Sequence, residues 1–329
     1  MTRRGLARAA ALLALLLAAV PALRAQNPDL VLSQAERDSM LANYDQIFPF
    51  KGREAIRRGF NMPLPLGFNI GYFGMTQDVA ISDLGLGFNA PPQPVSFITF
   101  EGAEATLSLI SARVDLWVLP FLNFYVMGGT GFGETTVRIA TPVAFETTAE
   151  FNGGNLGLGV TGAFGFKSFF AVADFNHQWG FSSLLENPVP ANIFSARIGR
   201  GIRFSRTTRG TLWVGTMFQS LESATNGSIR LDEVFGPGAD SLFTNYQNSA
   251  WYQALGPGEQ ALVDNFVQRL GGALDTTTVN YNLNKKVADP WNMLIGGTMD
   301  FGRHWGLRAE VGFIGRKSIM LMANYRIKI

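Results

Sequence analysis

Few side chains in this 329-residue chain could do covalent chemistry. It has no cysteine and only two histidines, so thiol nucleophiles, thiolate zinc sites and disulfides are excluded and multi-histidine metal centres are disfavoured. A hydrolytic site would need a nucleophile, a base and an orienting group within hydrogen-bond reach. His177 is the one candidate base on an extended segment. Along 169–179 it alternates in step with Phe169, Ala171, Ala173 and Phe175, which turns it outward near one rim. Ser182 and Ser183 follow in a connection, and Ser195 has the opposite parity, shared with Arg197. No serine shares both strand and face with His177, so the spacing points to a rim histidine bonded to water or a lipid headgroup. Lipid modification through His177 is the third functional hypothesis. His304 falls in a short turn and reads as structural. Gly128, Gly129, Thr130 and Gly131 do not form a nucleotide loop, because neither Lys-Ser/Thr nor a helix follows. No catalytic, cofactor or metal site is expected.

The charged residues carry more information. Arg113, Asp115, Asp174, Arg197, Arg203, Asp300, Arg308, Glu310, Arg326 and Lys328 all fall on the polar face of alternating segments. Lining a water-filled pore they would tune ion preference; in a narrow barrel they would pair and fill the interior. Both readings stand. Arg200 is the exception, sharing parity with Phe194, Ala196, Ile198 and Ile202 and pointing toward lipid. A cation there costs about 2–4 kcal/mol at a bilayer midplane and far less near an interface.

These faces require strands. From about residue 66 the dominant period is two. Ile319, Leu321, Ala323, Tyr325, Ile327 and Ile329 oppose Met320, Met322, Asn324, Arg326 and Lys328, and Leu307, Ala309, Val311 and Phe313 oppose Arg308, Glu310 and Gly312. Nine strands are legible, at about 104–118, 122–139, 145–166, 169–179, 193–204, 210–219, 291–301, 306–314 and 318–329. Bacterial single-chain barrels have even strand numbers. The region 64–90 therefore adds one kinked strand, giving ten, or two strands, giving twelve with one more from the region 220–290.

Loop lengths strengthen the barrel reading. Short connections at 302–305, 205–209, 166–168 and 119–122 alternate with long ones at about 220–290, 180–192, 140–154 and 89–103. A sandwich has no reason to sort loops by parity, whereas outer-membrane barrels have short periplasmic turns and long outer loops. Only the hairpin at 315–317 breaks the rule. Trp117, Phe121, Phe124, Phe166, Phe169, Phe204 and Trp305 sit beside the short turns, where an interfacial girdle belongs.

Two regions are not barrel. Residues 30–47 have helical spacing, with Ser33 and Glu36 as a capping-box pair, and would form a plug inserted in the lumen, a periplasmic contact, or a leader covering the barrel bottom. Within 220–290, a span too long for a structureless loop, 240–254 and 258–270 read as helices of an extracellular insertion that caps the mouth or binds something.

The first 25 residues read as an address. Arg3, Arg4 and Arg8 precede a twelve-residue apolar run, Ala9 to Val20, and then small residues, the pattern of a secretory signal peptide. Cleavage after Ala25 is the first choice and after Ala22 the second; the run is too short to span a bilayer. Removing residues 1–25, with Arg3, Arg4, Arg8 and Arg24 and no acid, takes the chain from 27 basic residues to 23 against 25 acids. A net charge of −2 gives no electrostatic case for nucleic acid. Only 16% of residues are charged, below the roughly 25% of soluble domains.

The stretch from Arg113 to Gly129, RVDLWVLPFLNFYVMGG, resembles strand–turn–strand segments of Gram-negative outer-membrane barrels of no assigned activity. The terminal Tyr325, Arg326, Ile327, Lys328 and Ile329 are similar to the strand signal read by the barrel-assembly machinery, although Ile329 stands where an aromatic residue is usual. The resemblance covers about residues 60–329 at the level of class and brings no ligand residues. It implies outer-membrane lipid and the assembly machinery as partners. The sequence thus predicts an all-β, transmembrane antiparallel barrel of ten to twelve strands, divided as 1–25, 26–60 and 61–329. Its predicted role is porin-like passage or binding of a small solute, with no cofactor; a closed structural or adhesion barrel acting through its outer loops is the alternative.

Overall fold

A computed structural model describes residues 32–88, 91–95, 98–141, 145–166, 168–205, 207–221, 224–230, 245–272 and 278–329. The signal-peptide expectation lies outside them, as does the start of the expected 240–254 helix.

Ten strands close a ring. They are β1 (Leu66–Phe88), β3 (Thr99–Leu119), β4 (Leu122–Thr141), β5 (Phe145–Phe166), β6 (Phe169–Ser182), β7 (Val189–Arg203), β8 (Thr208–Leu221), β11 (Trp291–Phe301), β12 (Trp305–Phe313) and β13 (Arg316–Ile327). Each pairs antiparallel with the next, and β13 returns to β1 from Leu66↔Ile327 to Gln77↔Arg316. β2 (Gln93–Pro94) adds a short pairing to β1. Within the region 64–90, residues 66–88 form one strand, and its register against β10 shifts between Ile81 and Asp83.

The outer face explains why the wall closes as it does. Ile70, Ile110, Val126, Leu156, Leu158, Ile198, Leu212, Leu307 and Leu321 are exposed in a continuous apolar band. Phe121, Phe124, Phe169, Phe204 and Trp305 are exposed toward the short-turn end, and Phe132, Phe181 and Trp291 toward the other. An apolar belt between two aromatic girdles is the outer surface of a transmembrane barrel. In water such a patch would far exceed what a monomer tolerates.

The region 220–290 supplies two further strands, β9 (Ala224–Arg230) and β10 (Thr278–Val287). They do not enter the ring. β10 pairs with the upper half of β1, Val79↔Val287 to Phe88↔Val279, where β13 has already ended. β9 pairs with β10 and reaches the β6–β7 connection, where the Glu186 N–H donates to the Asn226 carbonyl. Ser183 N–H in turn donates to Asn152 O on β5. The extension of β1, β3, β4 and β5 beyond the main ring is therefore closed by β10, β9 and this connection. The short 315–317 hairpin has its reason here: β12 and β13 stop early because β9 and β10 continue the wall above them.

At the short-turn end the chain folds under the barrel. Helix α1 (Gln34–Ala42) begins at Ser33, whose hydroxyl accepts from Glu36 N–H while Glu36 accepts from Ser33 N–H, the expected capping box. The helix is shorter than the 30–47 pattern. Helix α2 (Gly52–Arg57) packs Ala55 and Ile56 against Leu32 and Met62. Phe50 N–H bonds Val118 O and Ile47 N–H bonds Ile329 O, tying the segment to the two strands that flank β1. In the outer insertion, the described part of 240–254 is a 3-10 turn at Tyr246–Asn248 and a single α-turn, α3 (Ala250–Gln253). The second expected helix forms as α4 (Pro257–Gly272). Asp264 of α4 joins the two, accepting from the hydroxyls of Tyr246 and Tyr252.

Candidate functional site

Inside the ring, three linked polar groups fill the lower lumen. In the first, the Arg326 guanidinium donates to Asp115 (2.8 Å) and to the carbonyls of Leu64 and Pro65. Asp115, 4% exposed, also accepts from Asn69 and Asn123. In the second, Asp174 accepts from Tyr125 (2.8 Å), Thr161 (2.6 Å) and Asn176, and the Arg113 guanidinium lies 3.5 Å from the centre of the Tyr125 ring. In the third, Arg197 grips Glu310 with Nε (2.7 Å) and Nη2 (2.9 Å), while Arg308 (3.1 Å) and the Trp213 indole N–H (2.8 Å) share the same carboxylate.

The sequence makes room for these groups. A Cβ on Gly159 would overlap the Tyr125 ring, and one on Gly296 would stand 2.8 Å from the Trp213 indole. Small inward positions thus face large polar ones across the strands. A buried charge is stabilised by an opposite charge and by hydrogen bonds, and these groups supply both to one another. This floor therefore resembles a filled barrel interior more than a water-lined pore.

Above the floor lies a cavity of about 610 Å³. Its walls are mostly apolar: Leu84 and Leu86 from β1, Phe100 and Leu107 from β3, Val137 and Ile139 from β4, Leu184 from the β6–β7 connection and Leu283 from β10. The cavity belongs to both storeys, since β10 and the connection supply walls that the ten-strand ring lacks.

The ten residues predicted to line the lumen separate into three levels. Arg113, Asp174, Arg197, Arg308 and Glu310 border the cavity. Asp115 and Arg326 form the ion pair beneath it. Arg203, Asp300 and Lys328 lie at the short-turn rim: Arg203 meets Glu36 of α1 (3.2 Å), Lys328 meets Asp45 (2.9 Å), and Asp300 is exposed. Glu36 lies outside the wall, and its carboxyl is held below the usual range, chiefly by the Ser33 backbone N–H and further by Arg203.

His177 faces outward on β6, its Nδ1 2.9 Å from Asn192 Oδ1 and its ring edge-on to Trp179. Ser195 is 2% exposed on the inner face and accepts from Arg197. Ser182 and Ser183 accept backbone N–H groups of Leu184 and Asn152. The wall thus separates the histidine from Ser195. His304 Nδ1 lies 2.7 Å from the Arg326 carbonyl oxygen, in a turn. Arg200 points outward over Phe169, with 5.8 Å from guanidinium to ring centre.

Sequence reasoning misses Arg316 and Lys285, which also border the cavity. The alternation leaves Arg316 in a hairpin turn and Lys285 in the insertion. The signal for the first is present, because position 316 has the inward parity of Ser318, Met320 and Met322.

No protein-family model matches the chain, and no curated protein matches it. Among solved structures it is similar to the outer membrane protein OprG from Pseudomonas aeruginosa, at 9% identity and a TM-score of 0.37, covering 81% of this chain and 99% of that one. It is also similar to the β domain of the Bordetella autotransporter BrkA, at 10% identity and a TM-score of 0.39, covering 80% and 98%. A third similar structure is the COG4313 outer membrane channel from Pseudomonas putida F1, at 7% identity and a TM-score of 0.32, covering 80% and 96%.

Proposed function

We propose that the chain is an exported outer-membrane barrel that takes a small, largely apolar solute into its lumen and hands it inward. The observation that carries this reading is the apolar-walled cavity of about 610 Å³, a size typical of small-ligand sites. It rests on a floor of ion pairs and on the segment 32–65. The floor argues against a standing ion pore, because Arg326, Asp115, Arg197 and Glu310 spend their charges on one another. The apolar belt takes outer-membrane lipid as its solvent, and β13 supplies the strand offered to the assembly machinery. The outward face of His177, away from Ser195, supports a carrier over a lipid-modifying enzyme.

The test is single-channel recording of refolded protein in planar bilayers. The intact chain is expected to be silent or to open only briefly, and deletion of residues 32–58 should give frequent openings. Deletion of residues 231–277, which spares β9 and β10, separates the outer insertion from the inner cover. Long-lived, high-conductance openings of the intact chain would overturn the carrier reading in favour of a porin.

A further inference from the structure

The cavity is apolar in its walls but unbalanced in charge. Six basic residues border it against two acidic ones, and both acids are already engaged. Glu310 is held by Arg197 and Arg308, and Asp174 by Tyr125, Thr161 and Asn176. Arg316 is the sharpest case. It is 4% exposed, its Nε has no hydrogen-bond partner, and its Nη2 finds only the Met217 sulfur at 3.8 Å. No carboxylate pairs with it among the described residues. Directly across the β1–β13 seam stands Gln77, 5% exposed, with its Oε1 likewise unpartnered. Lys285 lies on the same wall, paired in register with Ile81 of β1, and no acid pairs with it among the described residues.

A guanidinium taken out of water without a counter-charge is strongly unfavourable, and a ligand that brings the charge relieves it. Arginine also presents two parallel N–H donors that match a carboxylate. We infer that the cavity binds an amphipathic monocarboxylate, its head on Arg316, with Lys285 four register positions further along β1, and its hydrocarbon tail along Met75, Val79 and Leu107. A single buried guanidinium suits a monoanion, and the walls reject a fully polar one. This inference rests on the carrier reading and names its solute class.

The experiment uses the full barrel in lipid nanodiscs, titrated calorimetrically at pH 7.5 with octanoate, 1-octanol and acetate, against empty nanodiscs. Heat-modifiable migration checks that each variant is folded. Octanoate is expected to bind at least tenfold tighter than octanol. Arg316→Gln should weaken octanoate at least tenfold and leave octanol unchanged, Arg316→Lys should restore part of the loss, and Lys285→Gln should weaken octanoate about threefold. Equal binding of octanoate and octanol, both indifferent to Arg316→Gln, would overturn the inference and leave the apolar carrier standing. Acetate that matches octanoate would reduce the site to a small-anion site and overturn it as well. Failure of octanol and octanoate alike to bind would overturn both the inference and the carrier reading. If Arg316→Gln does not fold, the octanoate-to-octanol ratio and Lys285→Gln decide.

Discussion

Replacing Glu310 with Gln removes one charge and almost no volume, so its cost is set by the hydrogen bonds around the carboxylate. All four groups facing that carboxylate are donors. Oε2 receives Arg197 Nε (2.7 Å), Trp213 Nε1 (2.8 Å) and Arg308 Nη2 (3.1 Å), and Oε1 receives Arg197 Nη2 (2.9 Å). In the better amide orientation the Gln oxygen takes the Oε2 position and keeps three bonds. Its NH2 must then face Arg197 Nη2, donor against donor. Arg197 and Arg308 lose their shared counter-charge in a site where the Glu310 side chain is 5% exposed. Breaking a buried pair on one side costs about 3–5 kcal/mol. Because three bonds survive, the expected loss for Glu310→Gln is about 3 kcal/mol, at the low end of that range. The assay is reversible urea unfolding of the barrel in lipid vesicles, read by gel migration and tryptophan fluorescence. Arg197→Met combined with Glu310→Gln should cost less than the sum of the two single changes, with a coupling of about 1–3 kcal/mol. A loss under about 1 kcal/mol for Glu310→Gln, or strict additivity in the double variant, would refute the account of the floor as a mutually dependent ion-pair network.

Two further outcomes are expected. Glu36 has a folded-state pKa depressed below its ordinary value of 4.5. Its contribution to holding α1 on Arg203 is therefore full above that ordinary value and is lost as pH falls through the lowered one. Hydrogen exchange of residues 34–42, corrected for intrinsic rates, should stay slow at pH 5–7 and accelerate below about pH 4, and Glu36→Gln should be fast throughout; a protected helix at pH 3 would contradict this. Gly227 on β9 is approached by the Leu184 carbonyl and the Tyr281 hydroxyl, so that a Cβ there would overlap the former. Gly227→Val should part β9 from the β6–β7 connection and weaken octanol binding severalfold while the lower ring stays folded; unchanged binding would show that the upper storey does not close the cavity.

Much of the wall is legible in the sequence because a strand has a period of two. Once Leu307 and Val311 are assigned outward, Arg308 and Glu310 must point inward. The same logic places Arg113, Asp115, Asp174, Arg197 and Arg326 inside. It falters where parity has no strand to run along. Arg203, Asp300 and Lys328 have inward parity but end at the rim, since parity gives a direction and no depth. Arg316 goes unread because residues 315–317 look like a turn when β13 is started at 318.

From the chain alone come the antiparallel barrel, the outward apolar stripe, the sorting of short and long connections and the capping box at Ser33. All are local, set by alternation over a few residues or by loop length. Only the tertiary structure decides that β1 is one strand closing on β13, that the 220–290 region returns two strands to the edge of β1, and that Arg197 of β7 meets Glu310 of β12. These depend on register between segments far apart in the chain, which no local pattern encodes. The unpaired charge of Arg316 is likewise a property of what the closed wall leaves out of reach.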